Sequence, residues 1–93
     1  MNKVGIDILE VDRINTSDEF INRICTENEK EYLSKFSDKR QRLTGLFCAK
    51  EACFKSLDLP VMNYKEIEIL HKDNGRPYAL LHGKTKQSVN IKN

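Results

Sequence analysis

Residues 47 to 57, FCAKEACFKSL, carry an acid inside an otherwise apolar helical pattern, with Glu51 standing between Lys50 and Lys55. On a helix, positions four before and three after share a face, so Phe47, Glu51 and Phe54 line up toward the core side. A carboxylate in such a place needs a lysine, hydrogen bonds or a cation, because burying it alone is costly. Asp7, inside the apolar run VGIDILEV, poses the same problem in a strand. If the helix packs across that strand, the two carboxylates meet, and a hard divalent cation relieves both through oxygen ligands. Lys55, one turn beyond Glu51, then lies at the edge of the site and suits a phosphate carried by the metal.

Plainer readings stand beside this one. Glu51 with Lys55 is also the favoured i,i+4 surface ion pair, worth only about 0.2–0.5 kcal/mol. Asp7 alone fits a strand end or an edge. Arg13 and Arg23 read most simply as solvated charges, and His71 and His82 as solvated strand-end residues, since no third ligand shares their spacing. The three cysteines, Cys25, Cys48 and Cys53, leave one over after any pairing and lack metal-ligand spacing, so reduced, partly buried thiols are expected.

The elements that must hold these residues are legible in part. KVGIDILEV alternates as a strand, with Val4, Ile6 and Ile8 on one face. Thr16 or Ser17 can cap a short helix bearing Phe20, Ile21 and Ile24, and Thr26 ahead of Glu29 has capping-box spacing before Tyr32, Leu33 and Phe36. The longest periodic segment runs from a Ser37 or Asp38 cap to a stop before Pro60, with Leu43, Phe47, Phe54 and Leu57 as its expected buried stripe. Gly45 inside it costs about 1 kcal/mol against Ala, which suggests close packing against another backbone. YKEIEILHKDNGRPYALLHG reads as a hairpin around a KDNGRP turn, with Ile67 and Ile69 alternating with acids. KTKQSVNIKN reads as a loop that starts another strand at Ser88 to Ile91.

Ninety-three residues, 39% hydrophobic and 32% charged, fit a single globular domain over residues 1–93 and are too apolar for full disorder. No apolar run approaches the roughly 20 residues of a membrane span, so no membrane partner and a cytoplasmic location are expected. The net charge of +2 conceals an acidic front, five Lys/Arg against eight Asp/Glu in residues 1–37, and a basic back, eleven against six in residues 38–93. An anionic ligand therefore belongs with the second part. With no Trp and no aromatic-rich basic patch, no nucleic-acid partner is expected.

VGIDILEVDRI (4–14), FINRICTENE (20–29), FCAKEACFKSL (47–57) and EIEILHKDNGRPYALL (66–81) together resemble the holo-acyl carrier protein synthases, a family of 4′-phosphopantetheinyl transferases. The family pattern has G-x-D-I, F-x-x-R-I-x-T-x-x-E, F-x-A-K-E-A-x-x-K and I-E-I followed by D-x-x-G-[KR]-P, in this order. The resemblance implies an α+β fold with an N-terminal strand, three helices and a small antiparallel sheet. It implies an enzyme of fatty acid and lipid biosynthesis that moves 4′-phosphopantetheine from coenzyme A to a serine of apo-acyl carrier protein, with Mg²⁺, releasing 3′,5′-ADP. Asp7 and Glu51 match the two metal-binding carboxylates, and Asp7, Glu51 and Lys55 the catalytic set. Lys50 and Lys55 match coenzyme A contacts, and Arg13 and Arg23 match positions that grip the acidic carrier protein. The family also implies a homotrimer with active sites between neighbours.

Three features depart from the pattern. Leu46 stands in GLF where members have Arg, and LDLPVM replaces a Gly-rich loop. Members also continue past SVNIKN into a strand pair containing [VI]-S-[IL]-[ST]-H, so the C-terminal strands are expected to be missing and a sheet edge exposed. These departures keep open a shortened, non-catalytic homologue that binds coenzyme A or a carrier protein, and a purely structural domain.

Overall fold

Side-chain caps set the first two helices. The computed structural model describes residues 17–92, and the side chains of 17–89. The expected N-terminal strand over residues 3–11, with Asp7, and also Arg13 lie outside these residues. The Ser17 hydroxyl accepts the Phe20 amide at 3.2 Å and opens α1 (Asp18–Ile24). Thr26 opens α2 (Glu27–Ser34) with a complete capping box, its hydroxyl accepting the Glu29 amide at 3.2 Å while its own amide donates to Glu29 Oε1 at 2.8 Å.

The long helix α3 (Lys39–Ser56) follows Asp38, whose side chain makes no capping bond. It ends at Leu57 ahead of Pro60, with Asp58 turning into a positive φ of 52°. A 3₁₀ turn (Tyr64–Glu66) leads into β1 (Ile67–His71), which pairs antiparallel with β2 (Pro77–Leu81) in the register Ile69 opposite Ala79. The hairpin turn is closed by Gly75 N to Lys72 O at 2.8 Å and Lys72 N to Arg76 O at 2.9 Å. Gly75, at φ +87°, supplies the left-handed residue that such a turn requires. The α+β class is as expected.

The end of the chain differs from the sequence reading. Residues Gly83–Lys92 form a helix, α4, rather than a loop and a strand at Ser88 to Ile91. Its cap comes from far away: Glu66 Oε1 accepts the Thr85 amide at 3.0 Å and the Thr85 hydroxyl at 2.9 Å. Gly83, at φ +55°, makes the bend out of β2, and a methyl group there would collide with the Glu66 carboxylate. An alternation of four residues is a weak signal against a capped helix start.

The core joins Ile21, Ile24, Cys25, Leu33, Leu43, Leu46, Leu59, Ile67 and Ile69, so α1, α2 and α3 close over one face of β1. The inward stripe of α3 is Leu43, Leu46 and Lys50, with Phe47, Phe54 and Leu57 only half-buried at its flank. The expected stripe is thus rotated toward Lys50. Gly45 is exposed, and a methyl group there would meet nothing within 4 Å, so no close backbone contact explains it. No described helix is long and apolar enough to cross a membrane.

Candidate active site on the long helix

One buried ion pair ties α3 to α2 and to the turn before β1. Lys50 and Glu29 are each 0% exposed, and Lys50 Nζ lies 2.8 Å from Glu29 Oε1. The ammonium also donates to the Tyr64 carbonyl at 2.6 Å, and Glu29 Oε2 accepts the Ile69 amide at 2.8 Å. With the Thr26 amide on Oε1, the carboxylate collects donors from α2, α3 and β1. A paired, fully hydrogen-bonded charge is the tolerable way to bury one. Lys50, expected to contact coenzyme A, is an interior residue whose ammonium is held by Glu29 and Tyr64.

Turning by about 100° per residue, α3 carries Glu51 and Lys55 away from that inward line. Glu51 is half-buried and Lys55 exposed. The expectation that Glu51 faces the core is met only in part, because the next residue back takes the core position. Whether Asp7 meets Glu51 concerns a residue outside the described part, as does the placement of Arg13. Arg23 is exposed on α1, 3.6 Å from Glu19 one turn earlier. Leu46, where the family pattern has Arg, is 2% exposed in the core.

The start of α3 is a feature the sequence reading did not single out. Lys39, Arg40 and Arg42 crowd an N-terminal end that has no acid in its first turn. Basic side chains there oppose the helix dipole by about 0.3–1 kcal/mol each, though the Asp38 carboxylate, 3.4 Å from Arg42 Nε, offsets part of that charge, so the end is basic at Lys39 and Arg40 and mixed at Arg42. In the sequence, the run KRQR stands out only as part of the charge asymmetry. Beside it opens a groove of about 410 Å³, walled by Asp38, Arg42, Gly45, Leu46, Ile69 and His71.

Of the two histidines expected to be solvated, His71 is packed, while the His82 side chain stays 44% exposed. His71 stacks on Tyr32 at 4.1 Å and 5°, and burial together with nearby Arg42 holds it below its ordinary pKa. His82 Nε2 lies 3.0 Å from Glu68 Oε1. Glu68 is only 4% exposed despite its place in an apparent alternation, because the far face of β1 is covered by Thr26, Asn28 and His82. Burial alone would raise its pKa, but the hydrogen bonds from Thr26, His82 and Asn28 outweigh that and hold it low. The cysteines are free, as expected, and burial with Glu29 nearby pushes the Cys25 thiol up to about 11. Among the described residues, no three His, Cys, Asp or Glu gather as a metal site.

Comparison with known proteins agrees with these motifs. The sequence model described as the 4′-phosphopantetheinyl transferase superfamily matches residues 3–91. The chain is 40% identical over 89 residues to the holo-[acyl-carrier-protein] synthase of Caldanaerobacter subterraneus subsp. tengcongensis, covering 89% of this chain and 70% of that protein. It is 41% identical over 93 residues to the synthase of Clostridium kluyveri, covering 94% and 69%. To that of Leptospira biflexa it is 37% identical over 95 residues, covering 94% and 75%. Motif order, fold and these matches agree, and the chain belongs to the 4′-phosphopantetheinyl transferase superfamily, as a relative of the holo-[acyl-carrier-protein] synthases.

Proposed function

We propose that this chain transfers 4′-phosphopantetheine from coenzyme A to a serine of an apo-acyl carrier protein, with Mg²⁺, releasing 3′,5′-ADP. The observation that carries the reading is the division of labour on α3: Lys50 is locked inward, while the half-buried Glu51 and exposed Lys55 remain one turn apart on another side. In the reaction the serine oxygen bonds to the β-phosphorus, the bridge to the α-phosphate breaks, and the serine proton is released. Such chemistry asks chiefly for positioning and charge neutralisation. Lys55 pairs with a phosphate oxygen, and the basic start of α3 offers further charge for the 3′-phosphate and pyrophosphate.

Glu51 fits a magnesium ligand, because Mg²⁺ is commonly held by one or two carboxylates plus substrate phosphates, and a half-buried carboxylate is both oriented and reachable. Asp7 would be the second carboxylate. When bound, the ion neutralises and orients the pyrophosphate. Arg23, exposed on α1, and Arg13 give the acidic carrier protein a salt-sensitive docking charge. A homotrimer belongs to the same reading, supported by the exposed apolar residues of β2, Tyr78 at 43% and Leu80 at 44%.

Incubation with coenzyme A, Mg²⁺ and an apo-carrier protein tests the proposal. The carrier is expected to gain one phosphopantetheine by mass spectrometry. Binding of coenzyme A without any gain would instead favour a non-catalytic homologue.

A further inference from the structure

We infer that Glu29 and Lys50 are positioning residues for Glu51 and Lys55, their buried pair locking the rotation of α3 about its own axis against α2 and β1. The inference rests on the transfer reading above. Its basis is directional bonding at one point in an otherwise apolar interface. Leu43 and Leu46, the neighbouring inward residues of α3, make contacts that tolerate sliding. Thr44 is also buried, but its hydroxyl bonds back to Arg40 O within the same helix at 2.8 Å and anchors nothing outside it.

Lys50, by contrast, is tied to two other elements. Its ammonium reaches Glu29 at 2.8 Å and the Tyr64 carbonyl at 2.6 Å, in the turn that leads into β1. Glu29 in turn holds the Ile69 amide at 2.8 Å, in the middle of β1, and the Thr26 amide at the start of α2. Any turn of α3 about its axis breaks these bonds together, and no buried side-chain nitrogen or oxygen is left without a partner among the described residues.

The helical period links this anchor to the candidate active site. Glu51 lies about 100° from Lys50 around the axis and Lys55 about 140°, so the two are only about 40° apart and swing together when α3 turns. Catalytic groups tolerate errors of roughly 10–20°, and a misplacement of about 1 Å can cost about 100-fold in rate. An apolar pair of similar volume would serve packing alone as well as the ion pair does. Direction is what such a pair would lose.

The variant Glu29→Gln/Lys50→Met removes both charges and keeps one acceptor oxygen, for either the Thr26 or the Ile69 amide, which bond different carboxylate oxygens. It is compared with the unmodified chain by NMR contacts between the Leu43 and Leu46 methyls and those of Ile67 and Ile69, and by steady-state transfer kinetics. The expected result is a folded variant with altered contacts, a kcat lower by about 10- to 100-fold and a KM for coenzyme A within about threefold. Unchanged contacts, or altered contacts with unchanged kcat, would overturn the inference. If the double variant does not fold, the same two readings on Glu29→Asp, which keeps both charges but draws the carboxylate back by one methylene, decide by the same criteria. If the unmodified chain transfers nothing, the functional reading fails by itself, and the NMR contacts alone decide whether the pair sets the rotation of α3.

Discussion

Lys50 and Lys55 lie on one helix, five residues apart, and have opposite surroundings. Lys50 is 0% exposed and held by Glu29 and Tyr64, whereas Lys55 is exposed on the last turn of α3. The same contrast separates the acids: Glu29 is sealed inside with three donors, and Glu51 is half-buried beside solvent. Identical residue types thus serve construction on one side of α3 and lie toward solvent on the other. The face of the helix decides the role.

The largest expected effect breaks the buried side. Lys50→Met leaves the Glu29 charge uncompensated and should cost about 3–5 kcal/mol in urea unfolding. Lys55→Met should change stability by no more than about 0.5 kcal/mol while abolishing transfer. Equal stability losses for the two would erase the distinction.

A smaller effect sharpens the picture where the hairpin meets α4. Gly83→Ala combines a strained positive φ with a collision against the Glu66 cap, and about 1–2 kcal/mol of destabilisation is expected from thermal melts. A neutral result would mean that the Glu66 cap is dispensable.

The pH dependence is smaller still and has a definite sign. Hydrogen bonds from Thr85 lower the Glu66 pKa from its ordinary 4.5, and Glu68 is held low as well. Their stabilisation is present above about pH 4.5 and is lost as pH falls through their lowered folded values. His71, lowered from 6.5 by burial and then Arg42, acts in the same direction, its share beginning to fade as pH drops below 6.5. Urea midpoints measured from neutral pH downward should therefore fall steadily. A midpoint that rises on acidification would contradict these environments.

What was legible in the sequence was local. Ser17 and Thr26 cap helices through partners three residues away, and Gly75 closes a turn within its own five residues. The parts missed depend on distant partners: Glu66 caps α4 from 19 residues away, Lys50 finds Glu29 across 21, and Glu68 meets Thr26 across 42. No period or motif announces such a bond. Lys50 was nonetheless within reach of simple counting, since it falls seven residues after Leu43 and four after Leu46, on their inward line. Treating lysine as a surface residue hid it. The helical pattern singles out Glu51 and Lys55, but spacing alone does not separate them from a surface ion pair, and only the motif resemblance favours the site reading.

The most direct test of this division is Glu51→Gln, measured for both melting temperature and phosphopantetheine transfer to an apo-carrier protein. The account predicts a stability change within about 1 kcal/mol and complete loss of Mg²⁺-dependent transfer. Retained transfer at the unmodified rate would contradict it.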